Sequence, residues 1–271
     1  MNFGLRGTGG FDRILPMKLT VACCFATALS LSAWAGSEDW TRIYLAENPV
    51  VTRDGKSFYF TWNDHIWYAP TAGGTARMVS SAAARQSAPV LSPDGTRLAF
   101  LSDCDGGYHL YECPTAGGPV RQLSYHSEST RPWCYTPDGK DLICTAWRDD
   151  DGDSDAMRVI RLPATARGPE TLLFDLYATA PSLSPDGKQL LFLYGAGSKG
   201  PFRKRRHSVT SQKGEIWLYD FATKKFRCII ERKWDVRSPV WAPDGKSFYY
   251  LTTELGGIRN LARHTFADGK D

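Results

Sequence analysis

The sequence predicts an all-β fold, a β-propeller of about five four-stranded blades. Two observations support this: one turn motif recurs along the chain, and a short apolar strand follows each copy. The clearest copy spans Ser92–Ser124, with a turn at Ser92–Gly95, an apolar strand, a Gly-rich hairpin and two further strands. Self-similarity at a period of roughly 40–50 residues, with short strands in each period, is typical of propeller blades.

The recurring turns are suited to reversing one strand into the next. They are centred on Asp54, Asp94, Asp138, Asp186 and Asp244, which stand 40, 44, 48 and 58 residues apart. Proline fixes φ at the second turn position, aspartate tolerates the next conformation, and glycine accepts a positive φ. A second proline stands five residues before four of these aspartates, at Pro49, Pro89, Pro181 and Pro239. In the third repeat the gap from Pro132 is six, which predicts a β-bulge there.

Nearly continuous apolar runs follow the turns. They are Phe58–Phe60, Leu98–Leu101, Leu142–Cys144, Leu190–Leu193 and Phe248–Leu251. Such runs are expected for strands that are covered on both faces, whereas a sheet with one wet face alternates apolar and polar residues. Blades stacked around an axis provide cover on both faces.

Residues 1–35 are predicted to be a signal peptide, and residues 36–271 the propeller domain. Met17–Ala35 has a lysine near its start, an apolar run and an Ala-Trp-Ala site, so Met17 is an alternative true start. The segment is too short for a membrane span. We therefore expect a periplasmic or secreted protein. The net charge of +4 falls to about +2 when residues 1–35 are removed, which is too small to favour nucleic acid or an anionic membrane.

The sequence allows two interpretations of how the ring of blades ends. Thr41–Leu45 stands where each repeat has its outer strand, and the last repeat ends without one. An N-terminal strand that completes the last blade would remove an exposed edge. The alternative is that the chain is an incomplete part of a larger propeller.

Five cysteines follow the predicted signal peptide: Cys104, Cys113, Cys134, Cys144 and Cys228. Their number is odd and their spacing matches no zinc site. We interpret them mostly as small buried residues. Cys134 and Cys144 flank the third turn as diagonal neighbours rather than as partners.

Two hairpins contain extra charged residues. In the third repeat, Asp149, Asp151, Asp153 and Asp155 alternate as in calcium loops, because a hard cation needs several oxygens from one tight turn. The loop lacks the distal glutamate of an EF-hand, so a solvated acidic hairpin is the alternative; no cofactor other than calcium is expected. In the fourth repeat, Gly195–Gly214 contains basic residues at Arg203–His207. This insertion is either an exposed charged loop or a site for an acidic ligand or partner domain.

No catalytic motif is recognised. The chain contains no G-x-S-x-G elbow, H-E-x-x-H pair or Walker loop. His65 and His109 stand at the start of equivalent strands, and a structural role at that position accounts for both. His126, Ser127 and Glu128 lie in a loop between repeats, of the kind that lines a channel mouth, but neighbours in sequence seldom meet in catalytic geometry. We predict no catalytic residue in this chain.

The turn and strand pattern resembles a known repeat family. The motif S-P-D-G-x-x-[LIV]-x-[FY], present at Ser92–Phe100 and Ser184–Phe192, is similar to the propeller repeat of TolB and of the tricorn protease. Arg203–Ser208 with Glu215–Asp220, and Gly257–Leu261, are similar to segments of tricorn-type propellers, although Ala262 replaces the usual aromatic residue. The resemblance covers nearly all of residues 41–271.

This resemblance implies a non-catalytic propeller that binds or channels peptides or proteins on a propeller face or in its channel. In tricorn-type serine peptidases, propellers precede a PDZ-like domain and a peptidase domain, so such domains are possible downstream partners. A TolB-like periplasmic scaffold that docks proteins is the alternative function. A propeller polysaccharide lyase with a metal in the channel is a third.

Overall fold

A computed structural model of the chain shows antiparallel sheets arranged radially around a common axis. It describes residues 18–19, 46–79, 84–148, 157–165, 168–194, 214–231, 234–254 and 258–266. Within these ranges the regular elements are all strands, numbered β1 to β20. The predicted all-β class is confirmed.

Blades 1 and 2 are four-stranded. Blade 1 consists of β2 (Glu47–Val51), β3 (Ser57–Trp62), β4 (His65–Pro70) and β6 (Arg77–Met78). Blade 2 consists of β7 (Gln86–Leu91), β8 (Arg97–Ser102), β9 (His109–Pro114) and β10 (Arg121–Gln122). A separate short pair joins β1 (Lys18–Leu19) to β5 (Gly74–Thr75).

Blades 3 and 4 share one long strand, β14 (Thr171–Leu183), which is outermost in blade 3 and innermost in blade 4. Blade 3 begins with β11 (Thr130–Tyr135), β12 (Asp141–Trp147) and β13 (Met157–Pro163). Blade 4 continues with β15 (Gln189–Tyr194), β16 (Glu215–Asp220) and β17 (Lys225–Ile230).

Blade 5 has three strands within the described part of the chain. They are β18 (Val236–Trp241), β19 (Ser247–Thr252) and β20 (Asn260–Thr265). The outer strand predicted at Thr41–Leu45 lies outside the described residues. The sequence alternative of an N-terminal closure therefore stays a prediction.

Each turn aspartate holds its own turn together. In blade 2, Ser92 Oγ donates to Asp94 Oδ1 at 2.6 Å, and the backbone N–H of Thr96 donates to the same oxygen at 3.0 Å. Gly95 takes φ +73°, which a Cβ would strain. Equivalent bonds form in blades 1, 3 and 4, whereas in blade 5 Ser247 contacts Asp244 instead.

A β-bulge interrupts the first strand of every blade. The bulge predicted in the third repeat is confirmed, because the register between β11 and β12 shifts between Pro132 and Cys134. The sequence does not predict the bulges in the other four blades, because there the proline always stands five residues before the turn aspartate and no blade differs from the rest. There the residue before the proline takes φ between 48° and 50°, at Asn48, Ala88, Ala180 and Ser238.

Alternate residues of the middle strands pack against opposite neighbours. In β8, Leu98 and Phe100 pack against blade 1, on what we call the near face. Ala99 in β8 and Leu110 in β9 pack against blade 3, on the far face. Each fully buried large side chain contributes about 1.5–3 kcal/mol. The predicted cover on both strand faces is confirmed for blade 2.

Candidate functional site

The first strands of the blades lie innermost, and a cavity opens at one end of them. β7 contacts β2 and β11, and β14 contacts β11 and β18, so these strands surround the axis. The cavity measures about 930 Å³ and lies where the first strands of blades 1 to 4 run into their turns. We call it the mouth cavity.

Aromatic and aliphatic side chains form the wall of the mouth cavity. Tyr59 and Tyr68 of blade 1 meet edge to face with ring centroids 5.3 Å apart, and the Tyr68 hydroxyl lies 2.7 Å from Ser57 Oγ. Half-buried Leu91 and Leu183 line the cavity from blades 2 and 4. These rings and aliphatic groups form the apolar part of a cavity whose lining is about equally polar and apolar.

Tyr135 lines the cavity from blade 3 and is fixed by a buried acceptor. Its hydroxyl donates to Glu112 Oε1 at 2.8 Å. Burial, together with the neighbouring Glu112 carboxylate, raises its pKa, and burial also raises the pKa of Tyr59. Both phenols are therefore neutral at physiological pH and act as rigid walls.

The rim of the mouth cavity is polar. Hydrogen bonds from Ser92 and from backbone amides lower the pKa of Asp94 to about 2, and similar bonds lower the pKa of Asp54. Both carboxylates are therefore ionised and engaged in their turns. Arg53 is exposed on the same rim, and it makes no ion pair within the described residues. Its guanidinium is available to a ligand.

A cysteine, Cys134, lines the mouth cavity from blade 3. Burial raises the pKa of the Cys134 thiol to about 11, so this lining cysteine is a poor nucleophile. No histidine occurs among the described residues that line the cavity. A hydroxyl does lie next to a carboxylate on the rim, at Ser92 and Asp94, but this pair is engaged in its turn, where the Thr96 N–H also donates to Asp94.

Several predicted sites do not reach this cavity. His126 is exposed, its Nδ1 accepts the backbone N–H of Glu128 at 3.0 Å, and it does not line the mouth. The calcium candidates Asp149, Asp151, Asp153 and Asp155 lie outside the described residues, so the calcium site stays a prediction. The same holds for the basic residues Arg203–His207. In the described ranges no three His, Cys, Asp or Glu side chains are grouped to hold a metal.

The cysteine interpretation is confirmed in part. Cys113 and Cys144 are buried, Cys134 and Cys228 are half-buried, and all five are free thiols. Cys104 is exposed, which contradicts the interpretation for that residue. Cys144 pairs with Pro132 and Cys134 with Ile143 in the β11–β12 register, so Cys134 and Cys144 are not direct partners.

The sequence does not predict the mouth cavity. Its rim is formed by the repeat turns, for which the sequence predicts only strand reversal, and its wall by strand residues such as Tyr59, for which it predicts only burial. The available signal was the repeat itself, because a radial fold brings equivalent turns together at one end of the axis.

Antiparallel sheets arranged radially around a cavity define a protein of the β-propeller class. Comparison with family models assigns residues 44–269 to the tricorn protease N-terminal beta propeller domain, so the chain belongs to that family. A search of curated proteins finds no match.

Solved structures share this fold at low sequence identity. A protein described as TolB from Agrobacterium tumefaciens has a TM-score of 0.68 at 19% identity, over 84% of this chain and 79% of that one. TolB from Acinetobacter baumannii has a TM-score of 0.64 at 22% identity, over 83% of this chain and 52% of that one. The tricorn protease has a TM-score of 0.60 at 21% identity, over 84% of this chain.

The chain thus corresponds to only part of some relatives, since the matched region is 22% of the tricorn protease chain. At these identities the likeness shows the fold alone. The part of the chain that the structure describes contains no helix long and apolar enough to cross a membrane.

Proposed function

We propose that this protein is an exported propeller that binds peptides or exposed protein segments in the mouth cavity. The observation that supports this most directly is the cavity's composition: an apolar, aromatic wall beneath a polar rim, at the point where four blades converge. Ligand sites are typically concave and mostly apolar, with a few polar groups that fix orientation. A peptide matches this arrangement, because its side chains alternate with a polar backbone.

Family membership supports the choice of ligand. A propeller of the same family forms part of the tricorn protease, a protein that acts on peptide bonds. The cavity volume of about 930 Å³ would hold a few residues of an extended segment rather than a folded domain. Arg53 on the rim would face carbonyl or carboxylate oxygens of such a segment.

Binding can be measured with fluorescein-labelled peptides from a tryptic digest of casein, by fluorescence anisotropy. We expect saturable binding that falls at least tenfold in Leu183→Arg, because the new side chain would fill the cavity from blade 4. Val120→Arg is the matched control: Val120 is exposed and lies outside the cavity, so binding should not change. Absence of binding by the parent protein would refute the peptide proposal.

A protein-docking scaffold is the competing function, and a pull-down from an envelope extract distinguishes the two. A stable complex with an intact envelope protein, without peptide capture, would favour docking. The lyase alternative lacks a supporting observation in the described residues, where no metal-binding group is found. Oligogalacturonate lyase in complex with manganese shares the fold at 16% identity, which does not extend to chemistry.

Export is a separate part of the proposal. It rests on the Lys18 charge, the apolar run and the Ala33–Ala35 site. Fusion of residues 1–35 to alkaline phosphatase, an enzyme that is active only after export, should give active reporter. Lys18→Glu combined with a polar substitution in the apolar run should abolish reporter activity, and an inactive parent fusion would refute export.

A further inference from the structure

The outer strand of blade 4 is more regular than the outer strands of blades 1 to 3. β6 and β10 contain two residues each, and the outer part of β14 pairs with β13 across a register shift between Arg158 and Ile160. β17 contains six residues, and Lys225–Cys228 pair with β16 without a shift. Short strands and bulges protect a sheet edge from pairing with other chains. Blade 4 has neither device along Lys225–Cys228.

The free edge of β17 is open to another strand. Among the described strands, β17 pairs only with β16 and ends its sheet. Backbone N–H and C=O groups of an edge strand alternately face its neighbour and the free side. In β17 no described strand receives the groups on the free side. An extended segment can satisfy such groups by adding a strand to the sheet, which is called β-augmentation.

Apolar side chains lie on both faces of blade 4 beside this edge. Phe226 is 37% exposed, although its ring packs edge to face on Phe174 with centroids 5.3 Å apart and lies 4.9 Å from the ring of Tyr219. Leu172, two residues before Phe174, is 44% exposed. On the side of blade 5, Ile229–Ile230 are half-buried against the apolar cluster that blades 4 and 5 share. A strand added beside β17 would therefore extend an apolar surface on both faces of the sheet.

The same edge is basic. Lys224, Lys225 and Arg227 are exposed, and none of them forms an ion pair within the described residues. Asp220 stands opposite Lys225 in the register, but its carboxylate accepts the backbone N–H of Thr223 at 2.9 Å. Like charges on adjacent strands repel and opposite charges attract. Charge complementarity therefore favours an acidic partner strand and opposes a basic one.

We propose that the outer edge of β17 is a docking site for an extended segment of a partner protein in which acidic and apolar residues alternate. The segment would add one strand to blade 4, with an apolar side chain beside Phe226 and carboxylates opposite Lys225 and Arg227. A second copy of this chain fits less well, because its own β17 would bring the same cations to the interface. The proposal is independent of the peptide function proposed above, because β17 does not line the mouth cavity.

Two short peptides with blocked termini test the proposal. One alternates glutamate with valine, and the other alternates lysine with valine. Amide hydrogen exchange, followed by mass spectrometry of proteolytic fragments, measures protection along the protein with each peptide. We expect the glutamate–valine peptide to slow exchange at least tenfold in fragments that cover β17, and to leave the outer strands β6 and β10 unchanged. The lysine–valine peptide should give no protection at β17.

Reversal of the charges on the edge should reverse this preference. Lys225→Glu combined with Arg227→Glu should abolish protection by the glutamate–valine peptide and create protection by the lysine–valine peptide. Both side chains are exposed, so the fold should persist, and circular dichroism checks this. The matched control is Lys56→Glu combined with Lys140→Glu, which changes the net charge equally at two exposed turn positions. It should leave the protection of β17 unchanged.

Several results would overturn the proposal. Absence of protection at β17 with the glutamate–valine peptide would exclude an acidic strand, and equal loss in the edge variant and in the Lys56 and Lys140 control would show only long-range attraction. Protection of β17 without peptide that grows with protein concentration would show that a second copy occupies the edge. Loss of β17 protection in Leu183→Arg would place the peptide in the mouth cavity, whereas its persistence there supports a separate site.

Discussion

The interface between blades 2 and 3 and the interface between blades 4 and 5 are built on the same backbone repeat, and both contain buried apolar contacts, but the first also holds a buried carboxylate. At the first, the Glu112 carboxylate, with 7% of its side chain exposed, lies 3.1 Å from Arg97, 2.7 Å from Arg121 and 2.8 Å from the Tyr135 hydroxyl. At the second, Trp241, Phe248 and Tyr250 pack against Leu191 and Leu193 without a buried ion pair among the described residues.

The difference shows that the repeat specifies blade geometry and leaves the interface chemistry free. At the polar interface the carboxylate of Glu112 in blade 2 accepts from the Tyr135 hydroxyl of blade 3, and its partner Arg97 also donates to the carbonyl of Gly139 at 2.6 Å. Charge pairing therefore adds to the stability that apolar contacts of residues such as Leu110 and Leu142 give this interface. At the apolar interface, stability depends on volume and packing, because dispersion and hydrophobic burial are its main terms.

The largest effect is expected at the apolar interface. Phe248→Ala should lower the free energy of unfolding by about 3–5 kcal/mol, because it removes a fully buried ring and leaves a cavity. Urea unfolding followed by tryptophan fluorescence measures this. Tyr249→Ala is the matched control on the same strand but on the exposed face, and it should cost about 1 kcal/mol or less. Similar losses for both variants would contradict the assignment of the two faces.

The polar interface should respond less strongly. Glu112→Ala should lower the free energy of unfolding by about 2–3 kcal/mol, because it leaves the Tyr135 hydroxyl and two guanidinium groups without their acceptor. This loss of free energy is smaller than the loss expected for a fully buried ion pair, because the side chains of Arg97 and Arg121 remain 24% and 46% exposed. Glu112→Gln keeps an acceptor and should cost less than the alanine variant. A loss below about 0.5 kcal/mol for alanine would show that water replaces the carboxylate.

These two interfaces also show how far the sequence predicts the structure. The turns, the apolar strands and the cover on both strand faces follow from local residue patterns, since turn chemistry and periodicity act over a few residues. The Glu112 bridge does not follow, because Tyr135 stands 23 residues away and meets Glu112 only after two blades have stacked. Contacts of this kind depend on the angle between blades, which no local pattern encodes.

The candidate site was less predictable than the fold. Leu91 and Leu183 look like ordinary strand ends in the sequence, and only the radial arrangement places them in one cavity. The sequence instead pointed to the charged hairpins around Asp151 and Arg205, because charge clusters are visible locally. A concave apolar surface assembled from four blades has no local signature.

The turn aspartates of blade 2 and blade 5 differ in how their contribution to stability depends on pH. Asp94 accepts from Ser92 and has its pKa lowered to about 2, whereas Ala242 stands at the corresponding place in blade 5. The pKa of Asp244 is lowered instead by the N–H of Lys246, the Ser247 hydroxyl and Arg263. Because the folded-state pKa of Asp94 is below the ordinary 3.8, this stabilisation is present above pH 3.8 and is lost as the pH falls towards 2.

Asp94→Asn should therefore reduce the acid dependence of the thermal midpoint between pH 5 and pH 2 more than Asp244→Asn does. Thermal unfolding in steps of half a pH unit, followed by circular dichroism, measures both slopes. Equal slopes for the two variants would mean that the hydroxyl of Ser92 does not contribute to the acid dependence.

The smallest effect is expected at an exposed ion pair between blades 1 and 2. Arg85 Nε lies 3.9 Å from Asp64 Oδ2, and the two side chains are 65% and 68% exposed. Asp64→Asn should change the free energy of unfolding by less than about 0.5 kcal/mol, because water screens such pairs. Asparagine also tolerates the φ of 62° at this position, and the backbone carbonyl of residue 64 still accepts the N–H of Gln86 at 2.7 Å. A loss above about 1 kcal/mol in urea unfolding would show that exposed charges, and not only Glu112, hold adjacent blades together.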